Sequence, residues 1–162
     1  MPLTIRPYAS GDEAGIVDVI LPIQREEFSI AITADDQPDL ADIPGFYGAD
    51  AGGFWVAELD EQIVGTIALK DLGNRQTALR KMFVAKTARG REIGAGQRLL
   101  DTLLAHARTK GMADIFLGTT EQFLAAHRFY EKNGFAAIAP SALPERFPRM
   151  GVDTRFYHRA LG

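Results

Sequence analysis

Residues 89 to 98 read Arg89-Gly90-Arg91-Glu92-Ile93-Gly94-Ala95-Gly96-Gln97-Arg98, with three arginines and three glycines close together. The chemistry such a stretch can do is anion binding. Glycine lets the backbone approach a ligand closely. Where a helix begins, the first N–H groups lack intrahelical acceptors and favour a negative partner. Arginine adds charge and forked donors. A charge-assisted hydrogen bond nets roughly 1.5–3 kcal/mol, so three or four supply roughly 4–8 kcal/mol. Micromolar binding takes about 8 kcal/mol, so contacts of this kind to a diphosphate would anchor most of such a ligand. The stretch is not a Walker loop, because no Gly-Lys-Ser/Thr follows. It is a poor dinucleotide fingerprint too. Leu99 stands where a third small residue belongs, and no acidic strand end lies some twenty positions on. A carboxylate beside a phosphate is unfavourable, so Glu92 is expected to point outward.

Other chemistries are thinly represented. The chain of 162 residues has no cysteine, which excludes disulfides, a thiol nucleophile and thiolate metal sites. His106, His127 and His158 have no metal-ligand spacing. No serine or threonine sits in a nucleophile elbow. Trp55, on an apolar strand, reads as core. Phe123, Phe129 and Tyr130 lie near one helix face, where core packing is the plain reading for the tyrosine. Glu26, Glu27, Glu58 and Glu121 are the carboxylates considered as proton acceptors. Glu26-Glu27 next to Phe28 reads equally as a solvated helix end, and Glu121 as a capping acid.

The elements that must position these residues follow from periodicity. Leu79 to Val84 is an apolar run interrupted by Arg80-Lys81 and reads as a strand. Leu99, Leu100, Leu103, Leu104 and Ala107 recur at helical spacing, which predicts an amphipathic helix ending at Lys110-Gly111. A strand follows at Asp114 to Gly118. Strand, crossover helix and strand imply a parallel pair. A helix from about Glu121 to Lys132 stops at Asn133-Gly134. Upstream, Leu3 to Arg6 reads as an edge strand. Ser10 is placed as the cap of a helix that Pro22 ends or kinks, with Gln24 to Phe28 continuing past the kink. Short turns or helices are expected around Asp35–Leu40 and Ile43–Tyr47. Gly53–Leu59 and Ile63–Leu69 form a hairpin, and a turn at Leu72-Gly73-Asn74 leads into the strand through Val84. Phe135–Ala139 and Val152–Arg159 are the last strand candidates, on either side of a loop from Pro140 to Pro148. One domain spanning 1–162 is predicted, an α/β fold of the α+β kind: a mixed sheet with helices on both faces.

The spacing Arg91-x-x-Gly94-x-Gly96 resembles the pyrophosphate loop of the GNAT (Gcn5-related) N-acetyltransferase superfamily. His127-Arg128-Phe129-Tyr130-Glu131-Lys132-Asn133-Gly134-Phe135 is similar to that family's A-x-x-F-Y-x-x-x-G-F segment. Both occur in the family's order, one strand apart, with Met82-Phe83-Val84 before them. The resemblance implies a central, mostly antiparallel twisted sheet with a parallel pair splayed at the cofactor site. It implies acetyl-CoA as co-substrate, no metal, and direct transfer of acetyl to a primary amine. Cofactor contacts would come from Met82, Phe83, Val84, Arg89, Arg91, Glu92, Ile93, Gly94, Ala95, Gly96, Gln97, Arg98, Thr119 and Tyr130. Tyr130 would be the hydrogen-bond donor to the departing thiolate. Many relatives place a base Glu on the strand before the loop, whereas Ala78-Leu79-Arg80-Lys81 holds no acid. Glu27 is the catalytic candidate in its stead, with Glu26, Glu58, Glu121 or a water chain as alternatives. The resemblance also suggests that residues 29–53 form much of the acceptor wall. A non-catalytic acyl-CoA-binding or sensing module is the rival reading, and a nucleotide-binding α/β protein a second.

Charge is unevenly placed. Residues 1–74 carry 3 Lys/Arg against 14 Asp/Glu, and residues 75–110 carry 9 against 2. A polyanion at the glycine turn and a cationic acceptor near the first half would suit this field, as would plain surface charge on the acidic half. With a net charge of −3 and no aromatic–basic interleaving, no nucleic-acid partner is expected. No apolar run approaches a membrane span and no signal peptide is evident, so a cytoplasmic location is the default. A small-molecule or peptide amine is the expected partner, acting on a monomer or homodimer.

Overall fold

The computed structural model describes residues 3–27, 37–89, 93–119, 124–148 and 153–161. Strand β1 (Leu3–Pro7) precedes helix α1 (Glu13–Pro22). Asp12, not Ser10, stands at the N-cap of α1, and Pro22 is its last residue. The missing proline N–H ends the regular ladder, and the chain winds on as a π turn, Ile23–Glu27. Two short helices follow, α2 (Pro38–Ala41) and α3 (Ile43–Tyr47), each with proline in its first turn.

An antiparallel meander comes next: β2 (Gly53–Leu59), β3 (Gln62–Gly73) and β4 (Gln76–Val84). Its two turns are made by Asp60-Glu61 and Asn74-Arg75, all four with positive φ, the backbone twist that tight hairpins favour. Both β3 and β4 are longer than their apolar runs suggest. Their polar ends still find ladder partners, Lys70 with Ala78, Asp71 with Thr77 and Gly73 with Gln76. Helix α4 (Ala95–Thr109), strand β5 (Asp114–Thr119), helix α5 (Leu124–Lys132) and strands β6 (Ala136–Ile138) and β7 (Arg155–Ala160) complete the chain. Gly134, with φ +88°, takes the left-handed stop after α5.

The seven strands form one mixed sheet in the order β1-β2-β3-β4-β5-β7-β6. Only β4 and β5 run parallel. Helix α4 covers one face through Leu99, Leu100, Leu103, Leu104 and Ala107, in a core that also takes in Ile67, Leu79, Ile115, Leu117 and Tyr130. Helices α1 and α3 cover the other face, where Ile16, Ile20, Ile43 and Tyr47 meet Phe54, Val56 and Ala68. A third cluster on that face joins Leu72 and Ala78 to Phe116, Phe147 and Phe156.

Two departures from regular pairing create the site. The parallel pair is short: Gln76, Thr77 and Ala78 lie opposite Asp114, Ile115 and Phe116, and the ladder goes no further. Beyond it β4 stays with β3 as far as Val84, while β5 stays with β7 as far as Thr119. The sheet splits there. The second departure is a β-bulge in β4. Thr66 pairs with Phe83 and Ala68 with Arg80, so Ile67 alone faces both Lys81 and Met82. Lys81 has φ +53°, and its displaced carbonyl accepts a hydrogen bond from Thr66 Oγ1 at 2.6 Å. A bulge bends its strand and increases the local twist, which carries β4 away from β5.

Candidate active site

The bulge decides where the side chains around the split point. Leu79, Met82 and Val84 face α4, and Phe83 faces α1 and α3. The extra residue lets two neighbours, Arg80 and Lys81, share the α1–α3 side. Arg80 Cζ lies 5.3 Å from the centroid of the Phe46 ring, and Lys81 Nζ lies 3.6 Å from Asp39 Oδ2.

The α4 side of the split holds the glycine turn. Gly94 is the N-cap of α4 in the left-handed region, with φ +66°, and as a glycine has no side chain to cap the helix. A helix start of this kind presents its first-turn N–H groups, Ala95 to Gln97, along the helix axis. Gly96 is not demanded by packing. A methyl group there would meet Met82 Cε at 3.8 Å, Val84 Cγ2 at 3.9 Å and Phe129 Cε1 at 4.0 Å, all ordinary contacts. The bare backbone instead keeps space beside β4, as close approach of a ligand requires. Ala95 is buried, and Ile93 packs on the α4 core.

The charged and polar residues of the turn are partly occupied. Arg89 Nε donates to Val84 O at 2.8 Å, bracing the turn against β4. Arg98 Nη1 donates to Leu3 O at 2.7 Å, which ties that guanidinium to β1 on the far side of the helix start. Gln97 Nε2 donates to Asp101 Oδ1 and to Asn133 Oδ1, both at 2.9 Å, joining α4 to the end of α5. The Arg98 backbone N–H donates to Gly94 O at 3.0 Å and belongs to the helix ladder. Gly90, Arg91, Glu92 and Glu121 lie outside the described residues, as does the side chain of Glu27.

Tyr130 packs in the core and its hydroxyl reaches the split. Its ring packs on Phe129, Phe135 and Tyr157 at centroid distances of 5.8, 5.7 and 6.1 Å. Its hydroxyl donates to Met82 Sδ at 3.7 Å, so it ends at the bulge. Burial, and then the nearby Asp153 carboxylate, raises its pKa well above the usual phenol value. It stays protonated and acts as a donor. Thr119, buried at the end of β5, marks the opposite lip of the split. Of the acids considered as bases, Glu58 is paired with Arg6 at 3.1 Å on the far strands, and Glu26 is exposed on the π turn.

The site residues missed from sequence lie on the α1–α3 side. Asp153 sits against Gly118, where a methyl group would come within 2.7 Å of its Oδ2; its charge acts on both Tyr130 and Lys81. Nothing local in the sequence marks Asp153, because β7 reaches β5 only through long-range pairing. Lys81 is buried with Asp39. Tyr47 Oη donates to Asp39 Oδ2 at 2.5 Å, and Lys81 Nζ donates to Gln37 Oε1 at 2.5 Å. Gln37 exchanges two amide bonds with Gln24, at 3.0 and 3.2 Å. The network fastens the π turn and α2 to the bulge. Among the described residues no three His, Cys, Asp or Glu side chains gather as a metal site. No described helix is long and apolar enough to cross a membrane.

The model of the Acetyltransferase (GNAT) family matches residues 17–135, from α1 through α5. The chain belongs to the GNAT family. It is 35% identical over 134 residues to N-acetylaspartate synthetase from Danio rerio, covering 76% of this chain and 46% of that protein. It thus spans about half the length of the curated relatives it matches. A GNAT acetyltransferase from Staphylococcus aureus Mu50 superposes with a TM-score of 0.95 at 41% identity, over 99% of this chain and 100% of that one. The GNAT fold also relates it to a PaiA N-acetyltransferase from Thermoplasma acidophilum solved with coenzyme A, with a TM-score of 0.74 at 18% identity over 99% of each chain. Coenzyme A therefore binds to GNAT neighbours of this fold.

Lys81 gives the site a pH signature. Burial lowers its pKa from 10.5 to about 8. Between those values the unfolded chain holds a proton that the folded chain has released, so stability rises with pH across that window. The penalty is fully present below pH 8. Urea unfolding from about pH 8 to about pH 10.5 is expected to give a steeper upward slope for the wild type than for Lys81→Met. Equal slopes would mean that Lys81 titrates as an ordinary lysine.

Proposed function

We propose that the chain is an N-acetyltransferase that moves an acetyl group from acetyl-CoA to a primary amine of a small molecule or peptide. The observation that carries this reading is the coincidence at one split of three parts: an uncapped helix start beside Gly96, the bulged β4 edge, and the Tyr130 hydroxyl at Met82. The first suits a diphosphate. Beyond Ala78 the β5-facing backbone of β4 has no strand partner among the described residues. The Met82–Val84 segment can therefore pair with an amide-bearing arm and offer an N–H to the thioester oxygen. Acetyl-CoA supplies an activated acyl group and a thiolate leaving group. As the carbon–sulfur bond breaks, Tyr130 donates a hydrogen bond to the sulfur, stabilising charge without giving up its proton.

The amine must be neutral to attack. With a pKa near ~10.4 it is mostly protonated at pH 7, and deprotonation costs about 4–5 kcal/mol. Asp153, which lies against Gly118 and whose charge reaches Tyr130, is the carboxylate we assign to accept that proton. The new amide forms by direct attack, its nitrogen loses the second proton to solvent and the coenzyme A thiolate takes one up from solvent; no acyl-enzyme is invoked in a chain without cysteine.

Calorimetry should detect micromolar acetyl-CoA binding, and Gly96→Leu should abolish it while the protein remains folded. Retained affinity would remove the loop from the cofactor site. Tyr130→Phe keeps the ring, so kcat should fall on the order of 10²-fold with little change in acetyl-CoA affinity; an unaltered kcat would leave Tyr130 a core residue only. Asp153→Asn should depress kcat/KM at neutral pH and recover toward alkaline pH, where the amine is already neutral. A pH profile parallel to wild type would dismiss Asp153 as base. If acetyl-CoA binds but no amine accelerates coenzyme A release, the chain is an acyl-CoA-binding module instead.

A further inference from the structure

The α1–α3 face of the split carries an arrangement that acetyl transfer by itself does not need. By register Lys70 pairs with Ala78 and Ala68 with Arg80, so Lys70 and Arg80 lie on the same face. They converge on one ring. Lys70 Nζ sits 4.1 Å from the Phe46 centroid and donates to Phe46 O at 3.3 Å, and Arg80 approaches the same ring. Arg80 is half-buried, and among the described residues no carboxylate comes within ion-pair distance of it. A half-buried guanidinium without an acid is costly unless something else completes it.

Its position says what completes it. Ala78 and Phe116 are the last parallel pair. Two residues further along each strand, Arg80 and Gly118 share the face of Ala78 and Phe116, one on each lip. Asp153 lies against Gly118. A cation on the β4 lip thus stands across from a carboxylate on the β5 lip, at the end of the split where an acceptor must enter. Among the described acids of the first half, four are engaged elsewhere. Asp39 is engaged by Tyr47 and Lys81, Asp42 caps α3, and Asp71 accepts from the Ala51 and Gly73 amides. Asp12 is held by Arg6.

We propose that the acceptor is a zwitterion of the α-amino acid kind, with its carboxylate on Arg80, supported by Lys70, and its amine on the Asp153 lip. The proposal rests on the acetyl-transfer reading. Arg80 binds and orients the acceptor; it does not touch the acetyl carbon. An acidic amino acid suits the paired cations better than a neutral one, and a diamine presents Arg80 with the wrong charge.

The test measures coenzyme A release with L-aspartate, L-alanine, L-alaninamide and 1,4-diaminobutane, together with acetyl-CoA binding in the same samples. Both amino acids are expected to exceed the amide and the diamine by at least about tenfold in kcat/KM, as the loss of a charge-assisted contact implies. Arg80→Gln should collapse the ratio of alanine to alaninamide toward one by raising KM for alanine, and Arg80→Lys should restore part of it. Preference of the wild type for the amide or the diamine overturns the proposal, as does an alanine-to-alaninamide ratio unaffected by Arg80→Gln. Should no acceptor release coenzyme A, the acetyl-transfer reading fails separately. Calorimetric titration of the coenzyme A-saturated protein with N-acetyl-L-aspartate then decides the anion site: binding that Arg80→Gln weakens at least tenfold supports it, and no binding ends it.

Discussion

One inserted residue governs this molecule. Lys81 occupies the left-handed region in the middle of a strand, a conformation that costs a bulky residue of order 1–3 kcal/mol. The surrounding bonds hold it there: Thr66 takes its carbonyl, and Asp39 and Gln37 take its ammonium. The return on that strain is geometric. Before the bulge β4 hydrogen-bonds to β5; after it the two strands part, and among the described residues a strip of β4 backbone is left without a strand partner in the interior of the sheet. A sheet interior is the least accessible place in a domain, and here it is opened from within, with one lip kept rigid by β3 and the other by β7.

The same insertion sorts charge. Regular alternation would send Arg80 and Lys81 to opposite faces, one of them into the apolar layer beneath α4. With the extra residue both turn toward α1–α3, and the α4 side keeps Leu79, Met82 and Val84. The α4 side and the α1–α3 side of the split are thereby given different linings by consecutive residues of one strand. The first is lined by backbone and apolar carbon, the second by cations and an aromatic ring.

Much of this was legible in the sequence, and the reasons are local. Leu99, Leu100, Leu103 and Leu104 state helix α4 by spacing alone, and Gly94 marks its start because few other residues suit its left-handed backbone. Gly53–Leu59 reads as a strand from its composition, and the splayed parallel pair was implied by the family resemblance. What stayed hidden depends on distance along the chain. The bulge has no signal of its own, since Arg80-Lys81 reads as a mere interruption of an apolar run. The acidic first half suits cations by count, but among its described carboxylates Asp12 and Glu58 are held by Arg6, Asp42 by its cap and Asp71 by turn amides. The insertion of β7 between β5 and β6 is a topological fact that no spacing encodes, and with it Asp153 escaped notice. Arg98 reads from its neighbours as a residue of the turn, and its Nη1 reaches back to Leu3 O, a contact no spacing encodes.

That insertion of β7 bears on how the chain is made. During synthesis β5 emerges beside a partner that grips it for three residues only, and its other edge waits for a strand some forty positions later. Until then a Phe-Leu-Gly-Thr edge stands open, the kind of surface that recruits other chains. Local helices and the meander can form early, whereas this long-range closure is slow by its topology. This topology puts closure of the split late in folding, and a ribosome that stalled before Arg155 would release a body with its meander and α4 formed and its β5 edge still open.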